Sequence, residues 1–261
     1  MLSRLRLITF DVTDTLLKFR SAPGHQYGEI GALYGILCDR NSLSTNFKAH
    51  WRKMTQEHPN FGLYSGLGWE LWWRMLVKGT FKDSQINVDD NKLEAVASHL
   101  IEIYKTSICW QQGYGVLELL SYIRSKGIPM GIISNFDPRL STTLVNTKLR
   151  HYFQFVLTSY EVGVEKPHSK IFEEGMKASK LKNLKPEECL HVGDKTLLDY
   201  IGARESGWHG VLIVDKDPEL IKREYPEVDV NHLFPDMYHL QKYLINSARE
   251  NLSVHSGSVT R

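Results

Sequence analysis

The chain has 261 residues, of which 42% are hydrophobic and 24% charged, enough to bury a core in one large domain or two unequal ones. Its formal net charge is +2 and no long run of like charges occurs, so neither nucleic acid nor a membrane is expected as a partner. No apolar stretch approaches the roughly 20 residues that span a bilayer. The three cysteines form neither a zinc spacing nor a disulfide framework, which favours a reducing, cytoplasmic compartment.

The first predicted element is a buried strand over residues 5–10, which leads directly into Asp11. It begins so near the first residue that no removable targeting segment is expected before it. Residues 11–15 read DVTDT, so two carboxylates and two threonines follow the strand. An aspartate at a strand end is most often a turn or helix cap, and Asp11 alone therefore does not establish a catalytic site.

Residues 18–110 show helical patterns without convincing strands, and five of the six tryptophans lie there. We interpret this segment as a helical lid inserted into an α/β core. Its glycine- and aromatic-rich stretch, residues 62–73, suits either a substrate-facing loop or the insert's own core. Helical spacing favours the core for one set of residues: Trp69, Trp72, Trp73 and Leu76. Tyr64 and Ser65 remain as exposed candidates for substrate contact.

From residue 111 onward, short apolar runs alternate with helical patterns, which predicts parallel strands covered by helices on both faces. One of the helices is expected to open at Asp137, with Pro138 at its first position. The predicted fold is an α/β, doubly wound parallel sheet with an inserted helical domain. The expected limits are residues 1–17 and 111–246 for the core, 18–110 for the insert and 247–261 for a polar, disordered tail.

Ligand sites in such sheets lie beyond the carboxyl ends of the strands, and this rule brings distant polar residues to one edge. They form four groups: Asp11 with Thr13 and Thr15, Ser134 with Asn135, Lys166, and Gly193-Asp194 with Asp199. In this order they resemble the motifs of the haloacid dehalogenase-like (HAD) hydrolase superfamily, with the insert where that family places a C1 cap. The resemblance implies a Rossmann-like core and a Mg²⁺-dependent hydrolase that acts on a small phosphorylated molecule.

The chemistry of the residues agrees with that expectation. A carboxylate such as Asp11 can attack a phosphoryl group and form an aspartyl phosphate, which divides one difficult displacement into two. Mg²⁺ held by Asp11 and Asp194 would cancel the charge of the phosphate, with the backbone carbonyl of Thr13 as a third ligand by resemblance. Lys166 would pair with Asp11 and with the transferring oxygens.

Four further residues are expected in supporting positions. The Ser134 hydroxyl and the Asn135 backbone would donate hydrogen bonds to the phosphoryl oxygens, although both residues could also be simple turn formers. Asp199 would support the metal through a water or by orienting its neighbours, with Thr15 nearby. The alternative for Asp199 is a solvated position on a helix surface.

Thr13 is the one departure from the family pattern. HAD phosphatases usually read Asp-x-Asp-x-Thr, and their second Asp protonates the leaving oxygen and then activates water. Strand alternation points Thr13 and Asp11 the same way, so Asp14 is more often a cap of the following turn than a substitute acid and base. Two hypotheses follow: a slow phosphatase, or a catalytically impaired protein that keeps the fold for binding.

Overall fold

The structure is a computed structural model that describes residues 4–84 and 88–256. The described chain contains these strands: β1 Leu7–Phe10, β2 Leu17–Phe19, β3 Trp110–Gln112, β4 Met130–Ser134, β5 Phe155–Thr158, β6 Cys189–Gly193, β7 His209–Ile213 and β8 Leu233–Phe234. Six of them form a parallel sheet in the order β5-β4-β1-β6-β7-β8. β1 lies between β4 and β6. Strands β4 and β5 extend the sheet on one side of it and β6 to β8 on the other, and ligands bind at such a switch point.

The central strands are buried on both faces, because every residue of β1, β4 and β6 is buried. This burial explains why they read as continuous apolar runs rather than as alternating patterns. The parallel sheet predicted from these runs is confirmed. β8 has only two residues, too few to give a periodic signal.

The helical insert lies between β2 and β3, which pair antiparallel as a short ribbon at its base. Its helices are α1 Pro23–Leu33, α2 Arg40–Glu57, α3 Trp69–Lys82 and α4 Asp90–Ile103. They enclose a core of their own around Tyr27, Leu43, Phe81 and Leu93, which are all buried. The expected first and last residues of the insert, 18 and 110, lie in β2 and β3 respectively.

Helices cover both faces of the parallel sheet. The helical elements of this part are α5 Val116–Ser125, α6 Leu140–Asn146, α7 Ser159–Val162, α8 Ser169–Ala178, a π-helical segment Thr196–Ile201, α9 Gly202–Glu205, α10 Pro218–Glu224 and α11 Met237–Ser256, with short 3₁₀ turns at Arg150–Tyr152, Pro186–Glu188 and Val230–His232. One face packs under Leu120 of α5 and Leu240 of α11, and the other under Phe172 of α8 and Trp208. Among the described residues, no helix is long and apolar enough to cross a bilayer.

Two local predictions differ from the structure. The helix expected to begin at Pro138 begins at Leu140, after a turn at residues 138–139, but Asp137 does accept the expected capping hydrogen bond from the Arg139 backbone N–H at 3.0 Å. The disordered tail was expected from residue 247, whereas α11 continues to Ser256. Residues 257–261 of that tail lie outside the described residues.

Candidate active site

The carboxyl edge of the sheet brings Asp11 and Lys166 into direct contact. Asp11 follows β1, and its backbone N–H donates to the carbonyl of Val192 at 2.9 Å, which holds it at the end of the sheet. Lys166 lies in the loop between α7 and α8, and its Nζ donates to Asp11 Oδ1 at 2.7 Å. Nζ also donates to the Ile133 carbonyl at 2.9 Å and to Asp199 Oδ1 at 2.6 Å. Three acceptors for three ammonium hydrogens fix this cation in one position.

Asp199 is a buried anchor rather than the solvated helix residue that sequence alone allows. It is 1% exposed, and its Oδ2 accepts from the backbone N–H groups of Asp194 at 3.0 Å and Lys195 at 2.8 Å. Its Oδ1 accepts from His191 Nε2 at 3.1 Å and from Lys166. Burial would raise the pKa of this carboxyl, but Lys166 and His191 hold the pKa well below its ordinary value. Asp199 is therefore an anion whose two oxygens are already occupied.

The charges at this edge leave an excess of negative groups. Burial would lower the pKa of Lys166, but Asp11 and Asp199 raise it above its ordinary value, so the lysine stays protonated. Burial raises the pKa of Asp11, and Lys166 opposes that rise. Burial and the neighbouring Asp11 raise the pKa of Asp194 to about 6, with Lys195 acting against them. When ionised, these three carboxylates outnumber the two ammonium groups, and a cation would be attracted.

The three carboxylates also have the geometry to hold a cation. Oxygens of Asp11, Asp194 and Asp199 lie within 4.8 Å of one another. Among the described residues, Asp11 Oδ2 accepts no hydrogen bond, and Asp194 accepts from Thr15 Oγ1 at 3.4 Å and contacts Lys195. Carboxylate oxygens are the ligands that Mg²⁺ takes in proteins, so Asp11 and Asp194 fit as its ligands. Asp199, with both oxygens occupied, fits a supporting position behind them.

Ser134 is the last residue of β4 and Asn135 follows it at the same edge of the sheet, but their contacts differ. The Asn135 side chain bridges the loop of Lys166: its Oδ1 accepts from the Lys166 backbone N–H at 2.7 Å, and its Nδ2 donates to the Lys166 carbonyl at 3.0 Å. Ser134 is buried, lines the cavity with Asp11, and its hydroxyl has no partner among the described side chains and backbone groups. Ser134 is thus free to donate to a ligand, whereas the Asn135 side chain positions Lys166.

Thr13 and Asp14 both line the cavity that holds Asp11, so the separation expected from strand alternation is not seen; the two residues differ in burial. Thr13 is half-buried in the cavity wall. Asp14 is exposed with φ at 61°, in the left-handed region that aspartate tolerates better than most residues. Its carboxylate lies 3.8 Å from Lys195 Nζ and makes no hydrogen bond to backbone within the described residues, so the predicted capping role is wrong. The turn is closed instead by its backbone N–H, which donates to Leu17 O at 2.8 Å.

Comparison with known proteins assigns the family. A family model described as a haloacid dehalogenase-like hydrolase matches residues 5–207. The chain belongs to the HAD-like hydrolases. It is 51% identical to Rhythmically expressed gene 2 protein of Drosophila melanogaster, over 95% of this chain and 98% of that protein. It is 33% identical to human Haloacid dehalogenase-like hydrolase domain-containing protein 3, over 91% and 92% of the two chains.

Solved structures confirm the fold of this HAD-like hydrolase. The HAD-hydrolase YfnB of Bacillus subtilis, whose structure was determined with bound magnesium, aligns with a TM-score of 0.65 over 92% of this chain and 99% of its own. Its sequence is 18% identical. The α/β fold and the family expected from the four motifs are both confirmed.

Two features of this HAD-like hydrolase escaped the sequence analysis. His191 is fully buried in β6, where its Nδ1 accepts from Thr9 Oγ1 at 2.8 Å while Nε2 donates to Asp199. A histidine inside an otherwise apolar strand was the available signal. At Gly193 a Cβ would lie 2.1 Å from Asp199 Cγ, so only glycine lets this carboxylate reach the strand end.

The insert of the HAD-like hydrolase forms one wall of a cavity above these carboxylates. Trp72 and Leu76 are fully buried in the insert and Trp69 and Trp73 pack against them, as predicted, while Trp72 and Trp73 also line the cavity. The expected substrate contacts at Tyr64 and Ser65 are not seen, because neither residue lines the cavity. Tyr64 donates to the carbonyl of Gly163 at 3.0 Å and therefore joins the insert to the core.

Proposed function

We propose that this HAD-like hydrolase is a Mg²⁺-dependent phosphatase that acts on a small phosphorylated molecule through an aspartyl phosphate on Asp11. The observation that supports it best is the Lys166 ammonium, which bridges Asp11 at 2.7 Å and Asp199 at 2.6 Å beside Asp194. A fixed carboxylate, a fixed cation and an adjacent pair of metal-ligating oxygens meet the needs of phosphoryl transfer.

Two displacements at phosphorus would make up the reaction. An Asp11 oxygen attacks phosphorus, and the alkoxide leaves with the electron pair of its P–O bond and takes a proton from solvent, while Lys166 and the Ser134 hydroxyl stabilise the phosphoryl oxygens. A water then attacks the same phosphorus, which releases inorganic phosphate, restores the Asp11 carboxylate and gives its proton to solvent or phosphate. Mg²⁺ held by Asp11, Asp194 and the Thr13 carbonyl would supply charge neutralisation for the transferring group.

Thr13 makes the proposed reaction slow and selective. Its hydroxyl cannot give or take a proton near neutral pH as a carboxylic acid can, and a positioned acid or base contributes roughly 10²- to 10⁴-fold to a rate. Asp14 also lines the cavity, but its side chain is exposed and faces the Lys195 ammonium at 3.8 Å, so we assign it no acid or base role. Esters with good leaving groups, such as aryl or acyl phosphates, need little protonation and should react best.

The test compares phosphate release from an aryl and an alkyl phosphate in the presence of Mg²⁺. Wild type should favour the aryl ester, Thr13→Asp should raise turnover of the alkyl ester by about 10-fold or more, and Asp11→Asn should abolish both reactions. Asp14→Asn is the matched control and should change little. Equal efficiency of the wild type on the two esters, or an Asp14→Asn loss as large as that of Asp11→Asn, would contradict the assignment.

A second candidate is a catalytically impaired protein that keeps the site for binding. Thr13 favours it, since the residue that would complete the catalytic pair is missing. The retained contacts among Asp11, Lys166 and Asp199 favour the phosphatase. An acyl phosphate or beryllofluoride should modify Asp11 only if the site is chemically competent.

A further inference from the structure

The cavity between the helical insert and the sheet edge has a volume of about 540 Å³, and aromatic rings make up a large part of its wall. Asp11, Ser134 and Lys166 lie in one part of its lining, and ten other lining residues carry aromatic side chains. All but Phe136, which follows β4, come from the insert and the ribbon at its base. This cavity is large enough for a small-molecule ligand, which sites of a few hundred Å³ commonly hold.

The aromatic wall is a packed array of rings. The Trp51 ring lies 5.3 Å from that of Trp72, 5.7 Å from that of Trp73 and 6.0 Å from that of Phe47. Trp72 is fully buried and belongs to the insert's core, whereas Trp51, Trp73 and Phe47 keep part of their surface exposed beside the cavity. Their contacts hold these rings in place, so the exposed surface is apolar and preformed.

The polar groups beside Trp73 are already paired with one another. Trp73 Nε1 donates to Asp137 Oδ2 at 2.8 Å, and the Arg139 guanidinium binds both oxygens of the same carboxylate at 2.9 and 2.6 Å. A hydroxyl of a leaving group at this part of the wall would lose water without gaining a new partner, which is costly. An aromatic leaving group, in contrast, would make favourable ring–ring contacts, which form at centroid distances of about 4.5–7 Å.

We propose that the preferred substrate is a monophosphate ester whose leaving group carries an aromatic ring, which packs against Trp51, Trp73 and Phe47. This proposal rests on the phosphatase function proposed above and names its substrate class. A benzene-sized group fills a cavity of about 150 Å³, so the space accommodates one or two rings together with the phosphate. Thr13 limits the chemistry of the leaving group, whereas the cavity wall selects the shape and polarity of that group.

Tyr104 adds a second observation at the same wall. It lines the cavity, and its hydroxyl is buried without a hydrogen-bond partner among the described residues. The hydroxyl oxygen is itself covered by protein, so Tyr104 offers the cavity its ring and extends the apolar wall.

Phosphonates that cannot be hydrolysed separate binding from catalysis. Calorimetric titration with Mg²⁺ present should give benzylphosphonate a dissociation constant at least about tenfold below that of methylphosphonate. Trp51→Leu keeps apolar bulk but removes the ring, and should weaken benzylphosphonate binding roughly three- to tenfold without affecting methylphosphonate. The matched control is Tyr114→Leu, a ring that is 68% exposed and outside the cavity lining, and it should change neither value.

Turnover provides the second measurement. Benzyl phosphate, butyl phosphate and glycerol 3-phosphate all release primary alcohols, so the lack of an acid at Thr13 affects the three comparably. Benzyl phosphate should have the highest kcat/KM, by about tenfold over glycerol 3-phosphate and mainly through KM. Equal binding of the two phosphonates, or equal kcat/KM for the three esters, overturns the substrate class even if phosphate is released. If no ester is hydrolysed but benzylphosphonate binds in a Trp51-dependent way, the phosphatase function fails and the ring site stands.

Discussion

The Lys166 ammonium makes hydrogen bonds to Asp11, Asp199 and the Ile133 carbonyl, and its side chain is 2% exposed. A buried cation of this kind is stable only while its anionic partners remain, because removing one member of a buried pair leaves an uncompensated charge. Lys166 thus determines both the position of the candidate nucleophile and the stability of the sheet edge around it.

Replacing Lys166 with Met should lower the free energy of unfolding by about 3–5 kcal/mol, because Asp199 would be left ionised and buried. The double variant Lys166→Met with Asp199→Asn should recover part of that loss, since the uncompensated charge is removed. Urea denaturation of the two single variants and the double variant measures the coupling. Losses that simply add would show that the ammonium does not interact with Asp199 energetically.

His191 gives the protein a pH dependence with a definite sign. Burial lowers its pKa below the ordinary value of 6.5, although Asp199 opposes the shift. Below about pH 6.5 the unfolded chain binds a proton that the folded chain does not, so this histidine destabilises the fold as the pH falls towards its folded pKa. Wild type should lose up to about 1.4 kcal/mol per pH unit from this group, relative to His191→Gln. Unfolding curves at pH 7.5 and 5.5 for both proteins test it, and a constant difference between them would contradict it.

At the scale of elements, the end of β6 and the π-helical segment Thr196–Ile201 form one unit. The segment carries Asp199 back over Gly193, where the carboxylate binds two backbone N–H groups. A π-helical turn inside a helix is rare and occurs often at functional sites. The close approach requires glycine, because a Cβ at residue 193 would lie 2.1 Å from Asp199 Cγ.

Gly193→Ala should therefore displace Asp199, destabilise the protein by about 1–3 kcal/mol and reduce phosphate release. Gly28→Ala is the matched control, since a Cβ there meets its nearest neighbour at 3.4 Å, an ordinary contact, inside helix α1. It should be neutral or slightly stabilising, because alanine favours a helix. Comparable losses in the two variants would contradict the steric argument.

Much of the fold was predictable because the signals are local. β1, β4 and β6 are apolar runs of four or five buried residues, and each ends in a polar residue of the candidate site or directly before one. β2, β3 and β8 have only two or three residues and depend on pairing, which sequence periodicity does not report. The start of α6 was predicted two residues early, although the capping contact of Asp137 with the Arg139 backbone was predicted.

The candidate site was predictable to a similar degree. The motif order placed Asp11, Lys166 and Asp194 at one edge, and the structure brings these residues together. Sequence alone left Asp199 undecided, since its burial depends on partners from three separate elements. His191 was missed because nothing near it in the chain indicates that Asp199 is its partner.

At the scale of the whole molecule, the insert is joined to the sheet by buried polar contacts. Arg139 stacks against the rings of Trp69 and Trp73, 5.2 and 4.8 Å from their centroids, and pairs with Asp137. Asn60 exchanges two hydrogen bonds with Ser159, at 2.8 and 2.9 Å. These contacts set the distance between the aromatic wall and the carboxylates, and thus the shape of the cavity.

Removing the Arg139 guanidinium should loosen the insert before the sheet. Arg139→Met leaves Asp137 without its charged partner and removes the stacking on both tryptophans. Amide hydrogen exchange should rise in α3 by about tenfold or more, with little change in β6, because a helix opens more often once the side chains that anchor it are removed. A uniform increase in both elements would indicate global destabilisation instead.

The most direct test of the central claim is covalent labelling of Asp11. Purified protein with Mg²⁺ is exposed to acetyl phosphate, quenched in acid and digested. The mass of the peptide that contains Asp11 is then measured by mass spectrometry. Wild type should gain one phosphoryl group on Asp11 and Thr13→Asp should lose it faster, because that variant restores a base for hydrolysis. Absence of the label in both proteins, or a label that persists in Asp11→Asn, would contradict the proposal that Asp11 is the nucleophile.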